Sequence, residues 1–289
     1  MSPPRRTLAA PARVEGLGLF TGSPCAVTFE PADAGAGLAL ATAGWNNPCP
    51  ATIAHLSAAP VHPVFTQIPA RCPSVGPHDT PPIATVEHAL AALAGLGITD
   101  ATLTVEGPEI PIDDGSALAF VDAIAAAGLR DLNGTIEPIT PTQAITVERD
   151  GARITIEPAD TVSYEYRLAF DDPANVPVSA QSAAWSGGPE DFAASIAPAR
   201  TFSLAREAAQ MQAMGLFTAF TPADLLVIDD AGNPIDNAWR FDTEPARHKL
   251  LDLVGDLALA GAPIRAKITA ERSGHALNHE AARRLAQLL

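Results

Sequence analysis

The chain has 289 residues, 47% of them hydrophobic, enough for a full core in one large domain or two ordinary ones, which argues against global disorder. A net charge of −15 argues against a bare nucleic-acid-binding surface, which needs a basic patch. Three cysteines, Cys25, Cys49 and Cys72, with no Cys-x-x-Cys pair, exclude a disulfide scaffold or a thiolate zinc site and fit a reducing compartment.

Arg5-Arg6 invites a twin-arginine export reading, but Pro11, Arg13 and Glu15 interrupt the apolar segment that such a signal needs. No apolar run approaches the roughly 20 residues that span a bilayer. A cytoplasmic protein without stable membrane insertion is expected.

Residues 5–60 read as short strands and turns. Ala12–Gly22 reads as a strand entering a loop punctuated by glycines at 16, 18 and 22, and Cys25–Pro31 alternates like a strand with one buried face. No Lys-Ser or Lys-Thr follows the glycines, so a turn is the better reading than a phosphate cradle. Residues 63–83 are proline-dense and read as irregular or edge structure. Residues 85–95 then form a helix, with Thr85 as its expected N-cap and Gly95 or Gly97 ending it. A strand at 101–106 and a helix over about 117–127 complete this half.

Gly128–Thr142, with Asn133-Gly134 and two prolines, reads as a linker. Strands follow at about 144–149, 152–157 and 163–170. Next come helical segments at 190–197 and 203–214, a strand at 225–228, a helix over 245–260 and a strand at 264–270. Ser273-Gly274-His275 reads as a loop before a short final helix. Each half thus combines strands with a helix bearing candidate metal ligands, which suggests a duplicated α+β unit, although no sequence repeat shows it.

The helix over 245–260 places His248, Asp252 and Asp256 at i, i+4 and i+8 along one face, beside an apolar stripe of Leu250, Leu253, Val254 and Leu257. A neutral imidazole and a carboxylate one turn apart can converge on one metal ion, and His with Asp suits zinc, with Fe(II) an alternative for the same ligands. His88 could complete the set, and Glu87 beside it could act as a general base. His275 could act as an acid held protonated by Asp256. Taken singly, each has an ordinary alternative: a helix-start glutamate favoured by the macrodipole, a packed histidine, a loop histidine, a surface carboxylate.

Taken together, five ordered blocks match a known family. They are Thr-Val-Glu-His-x-Leu-x-Ala-Leu-x-Gly-Leu-Gly-Ile from Thr85, Glu-Ile-Pro-Ile-x-Asp-Gly-Ser-Ala from Glu109, Ala-Arg-Thr-Phe from Ala199, Arg-His-Lys-x-x-Asp-x-x-Gly-Asp-Leu from Arg247, and Ser-Gly-His-x-x-Asn from Ser273. From about Arg5 to its C-terminus the chain resembles the UDP-3-O-acyl-N-acetylglucosamine deacetylases, zinc amidases of bacterial lipid A synthesis. The resemblance implies an α+β fold of two similar domains, each a β-sheet layered on α-helices, with the active site between them. On this chain these would be residues 5–128, a linker at 129–141, and residues 142–289 with an acyl-passage insert at about 203–228.

The resemblance also implies roles. His88, His248 and Asp252 fall on the zinc ligands, and Glu87 on the general base. His275, partnered by Asp256, falls on the residue that stabilises the oxyanion and protonates the leaving amine. Thr201 falls on a hydroxyl that helps hold the tetrahedral intermediate, and Phe202 and Lys249 on substrate-contacting positions. The implied partner is a small nucleotide-sugar lipid precursor, with no nucleic acid, and a monomer is expected. An amidase for another N-acylated nucleotide sugar, or a zinc-containing binding protein without turnover, are the alternatives.

Four features depart from the family pattern. Phe20 and Asp172 stand where histidines are usual, and the proline-rich stretch 63–83 replaces a more regular strand pair. Phe217-Thr218-Ala219-Phe220-Thr221 replaces a small-residue segment, so Phe217 and Phe220 are expected to contact the acyl chain and reshape its passage.

Overall fold

The computed structural model describes residues 2–66, 71–170 and 176–289. In chain order its first half contains β1 (Pro4–Leu8), β2 (Ala12–Leu17), β3 (Pro24–Pro31), β4 (Leu38–Ala41), β5 (Cys49–Pro50), β6 (Ser74–Val75), β7 (Ile83–Ala84), α1 (Glu87–Gly95), β8 (Ala101–Glu106), α2 (Leu118–Ala127) and β9 (Leu129–Thr135). The second contains β10 (Ile145–Arg149), β11 (Ala152–Pro158), β12 (Ser163–Leu168), β13 (Gln181–Trp185), α3 (Pro189–Asp191) running into a π-helical turn (Phe192–Ile196), β14 (Phe202–Leu204), α4 (Ala205–Ala213), β15 (Leu226–Ile228), α5 (Glu244–Ala258), β16 (Ala266–Glu271) and α6 (His275–Ala286).

The two halves repeat one topology. The first sheet has the order β2-β3-β8-β4-β5 and the second β10-β11-β16-β12-β13. In each, the third strand is antiparallel to its hairpin neighbour (β8 on β3, β16 on β11) and parallel to the next strand (β4 or β12). Each late central strand is entered from a buried helix, α1 or α5, and left through a second helix, α2 or α6. The fold is therefore α+β, built twice.

The strands follow from alternation. In β8, Ala101, Leu103 and Val105 are buried while Thr102 and Thr104 are not; in β11, Ile154 and Ile156 face inward. Helices α1 and α5 are buried on nearly every side and pack against each other. A helix buried all round needs neighbours on all faces, and here the other helix and its own half's elements supply them. One continuous core joins Val27, Phe29, Leu90 and Leu103 to Ile154, Tyr166, Leu253 and Val254.

Several boundaries differ from the expectations. Within the stretch read as a linker, Leu129–Thr135 is a strand antiparallel to β1. Its residues are mostly exposed, so no apolar period marks it, and backbone hydrogen bonds hold it. Phe202–Leu204 pairs in parallel with Leu226–Ile228, so α4 starts only at Ala205. Thr85 is not the cap of α1; Val86 holds that position, and Thr85 sits at φ 59. His275 opens α6 rather than lying in a loop, with Gly274 as the extended cap residue. Asp172 and residues 67–70 of the proline-rich stretch lie outside the described residues. Among the described residues no helix is long and apolar enough to cross a membrane.

Candidate active site

Helix α1 begins with two charged or polar residues that are both buried, Glu87 at 4% exposure and His88 at 3%. The chain is steered into them by Thr85, whose left-handed backbone costs a β-branched residue about 1–3 kcal/mol. The surroundings hold it there. Thr85 N donates to Pro73 O, and its hydroxyl donates to the buried carboxylate of Glu109, which also accepts the backbone N–H groups of Phe20 and Thr21.

Helix α5 meets α1 at a glycine. A Cβ on Gly255 would lie 2.0 Å from the carbonyl oxygen of Glu87, so the two backbones touch there. That approach brings the His88 and His248 rings to 5.0 Å, edge to face. Asp252 Oδ1 lies 3.5 Å from His88 Nε2 and 3.3 Å from His248 Nε2. All three side chains are buried, and their ligand-capable atoms lie within 4.8 Å of one another.

The donor set suits a metal ion. His248 Nδ1 donates to Ala199 O at 3.1 Å, which leaves a lone pair on Nε2 aimed at Asp252. Burial pushes His248 down to about 3, so the ring is neutral, as a ligand must be. Burial opposes the charge on Asp252, but His248, Lys249 and a hydrogen bond with His88 hold it well below the usual carboxylate range. Two imidazole nitrogens and one carboxylate oxygen thus face one point, an arrangement that a bound cation satisfies. Beside them Glu87 Oε2 is buried and has no protein partner. These are ligands of the kind that zinc and Fe(II) take.

Ala199 is itself held. Arg200, buried with its partner, makes a two-pronged ion pair to Glu244 at 2.7 and 3.1 Å and also binds Asn237 Oδ1 and Ala238 O. Thr201 N donates to Gly115 O, tying the segment to the first half.

Two further groups flank the convergence point. Burial raises Glu87 to about 7, with the charges of His275 and His88 pulling it down and those of Asp252 and Asp256 pushing it up. His275 is lowered by burial, but the charge and hydrogen bond of Asp256, with Asp252 and Glu87, lift it to about 10. Asp256 Oδ2 accepts His275 Nδ1 at 2.8 Å and Asn278 Nδ2 at 2.8 Å, and its Oδ1 accepts His279 Nε2 at 3.1 Å. Asp256 is ionised at about 2: burial opposes its charge, and the two histidines stabilise it. Asp256, His275 and His279 also cluster within ligand distance. Here the carboxylate lone pairs already receive N–H donors, so this is a hydrogen-bond network and not a second ligand set.

The structure brings Glu87, His88, His248, Lys249, Asp252 and His275 onto one cavity of about 690 Å³, whose wall also includes Thr201, Phe202, Phe217 and Phe220. Asp256 lies behind His275, fully buried. Lys249 Nζ donates to Asp252 Oδ2 at 3.0 Å, and its pKa is raised because Asp252 and Tyr166 outweigh burial. Ala205, Ala208 and Ala209 of α4 also line the cavity. Phe217, at φ 59, lays its ring 5.7 Å from that of Phe20, which meets Phe65 edge-on at 5.0 Å. Two departures from the family pattern, Phe20 and Phe217, are thus in contact with each other.

Residues not anticipated from the sequence are His279, Glu109, Gly255 and the Arg200–Glu244 pair. His279 lies four residues after His275, a helical spacing visible only once α6 is known to start at His275.

A duplicated α+β fold with two imidazoles and a carboxylate converging beside a glutamate raised to about 7 and a histidine raised to about 10 fits the class of metal-dependent hydrolases. A family model described as UDP-3-O-acyl N-acetylglycosamine deacetylase (LpxC) matches residues 5–287. Proteins named UDP-3-O-acyl-N-acetylglucosamine deacetylase are similar over almost the whole chain. That of Myxococcus xanthus is 32% identical over 281 residues, 97% of this chain and 86% of the relative. The Anaeromyxobacter dehalogenans protein is 35% identical over 275 residues (95% and 84%), and the Leptospira biflexa protein 33% over 276 (95% and 87%). The chain belongs to the UDP-3-O-acyl-N-acetylglucosamine deacetylase family.

Proposed function

We propose that this protein hydrolyses the acetamide of UDP-3-O-acyl-N-acetylglucosamine, releasing acetate and a free amine, at the committed step of lipid A synthesis. The observation that carries the reading is the convergence of His88, His248 and Asp252 beside Glu87 and His275 in one cavity. His88, His248 and Asp252 would hold the metal, for which zinc is the first choice and Fe(II) the alternative. When bound, the ion supplies Lewis-acid polarisation of the amide carbonyl and of a water molecule.

The chain's own residues do the rest. Glu87, near 7, is a base matched to neutral pH and takes the proton of the attacking water. Water oxygen bonds to the carbonyl carbon, and the C–N bond then breaks. His275 is tied through Nδ1 to Asp256, which leaves its Nε2–H to stabilise the oxyanion and then to pass a proton to the departing nitrogen. Thr201, in the cavity wall, is assigned as a second donor to the oxyanion. Lys249 and Phe202 are assigned to substrate contacts, and Phe217 and Phe220 to the acyl chain along α4. A protein that only binds has no use for the paired base and acid.

Three buried free cysteines support a reducing, cytoplasmic setting, and we assign a monomer acting on a small-molecule precursor. The test is release of acetate from the acylated nucleotide sugar by metal-loaded protein. Acetate in stoichiometric yield with free amine supports the reading. No acetate on any acyl-chain length, with one metal equivalent bound, overturns it.

A further inference from the structure

Asp256 is fully buried, and three groups in the first turn of α6 grip it. His275 and Asn278 share its Oδ2, while Oδ1 takes His279 Nε2. Because these three lie at i, i+3 and i+4, one helical turn presents all of them to one carboxylate. A carboxylate held at one oxygen can still rotate about its Cβ–Cγ bond; a donor on the other oxygen fixes its plane. The ring of His279 also stacks over that of His275, with centroids 6.1 Å apart and planes at 27°. His279 is itself buried.

We propose that His279 is a positioning residue: by holding the second oxygen of Asp256 it fixes the carboxylate that orients His275 for proton donation. It does not itself line the cavity and is not one of the convergent metal-ligand residues, and it acts through Asp256. Loss of its N–H leaves Oδ1 a buried charge without that donor, and the carboxylate turns to recover one at the expense of His275. The inference rests on the reading of His275 as the acid.

The test compares His279→Leu, which keeps the volume and removes the donor, His279→Asn, whose amide falls short of Oδ1, and His279→Gln, whose amide nitrogen reaches where Nε2 sits. In Leu and Asn variants kcat is expected to fall about 10–100-fold with metal content unchanged, and KM to stay within about threefold. His279→Gln is expected to recover most of the loss. In an Asp256→Asn background the Leu substitution should cost nothing further, because the path it acts through is already cut. Independently of turnover, the low-field Nδ1–H proton of His275 in a proton NMR spectrum should persist in the Gln variant and move in the Leu and Asn variants.

Equal losses for Gln and Leu, an undiminished loss in the Asp256→Asn background, or an unmoved His275 proton would each overturn the proposal. If the Leu variant does not fold, the Asn and Gln variants decide. Absence of turnover in the unsubstituted protein would count against the deacetylase reading instead, and the NMR comparison would still decide the role of His279.

Discussion

Gly255 of α5 lies directly against the carbonyl oxygen of Glu87, leaving no room for a side chain between the two helices that carry the site. The spacing of the helices, and with it the reach of His248 and Asp252 to His88, is set at this contact. Gly255→Ala should therefore push α5 off α1. Overpacking of this kind costs about 1–3 kcal/mol or more, read by urea unfolding. Metal affinity should fall with it, because ligands from both helices must meet at one point. Retention of full metal affinity and activity in this variant would show that the helix spacing is not what builds the site.

The Asp256–His275 pair makes stability depend on pH in both directions. Asp256 has its folded pKa lowered to about 2, so its contribution is present above the unfolded carboxylate range and is lost as pH falls through it toward 2. His275 has its folded pKa raised to about 10, so its contribution is full below the unfolded histidine range and drains away as pH rises from there to about 10. Stability of the unsubstituted protein relative to Asp256→Asn should be greatest between about pH 4 and 6.5 and shrink on either side. Unfolding curves for both proteins at several pH values check this; a constant difference would mean the pair is not coupled as described.

Arg200 and Glu244 form a buried, fully bonded pair that fixes the carbonyl to which His248 Nδ1 donates. Removing one partner, as in Arg200→Met, leaves a buried charge and should cost about 3–5 kcal/mol. If the pair also sets the His248 tautomer, zinc affinity should drop in the same variant by more than in a surface control such as Arg153→Met. An unchanged zinc affinity would confine the pair to stability.

Phe217 pays for a left-handed backbone and is held by its ring contact with Phe20. Phe217→Gly relieves the strain and removes the ring, so stability should change by no more than about 1–2 kcal/mol. The cavity should widen where α4 lines it, shifting the preferred acyl chain to greater length. A series of kcat/KM values across acyl lengths reads this out; the same profile for both proteins would place Phe217 outside the acyl path.

The parts of this architecture that the sequence discloses are those with a strong period or a strong motif. Helices α1 and α5 announce themselves through Ala and Leu runs, and β3 and β8 through alternation. The His248–Asp252 pairing follows from helical spacing alone. The meeting of His88 with Asp252 does not, because it depends on two helices of different halves crossing at Gly255; the residues offer it only as one option, and the family resemblance implies it. The doubled topology shows in the sequence only as a hint, strands with one ligand-bearing helix in each half, because strand order is set by connections and backbone pairing, which leave no repeated residues. Strand β9 leaves no trace in the sequence because its exposed residues carry no burial pattern. His279 does not stand out because Ser273-Gly274 reads as loop, while in the structure Gly274 is the cap from which α6 starts.

In the proposed mechanism Glu87 is the base beside a metal held by His88, His248 and Asp252. This role is tested most directly by replacing Glu87 with Gln and measuring acetate release from UDP-3-O-acyl-N-acetylglucosamine together with bound metal. About one metal ion per chain is expected in both proteins, with a loss of about 10²–10⁴-fold in kcat for the variant. Equal turnover by the two proteins, with metal bound in each, would contradict it.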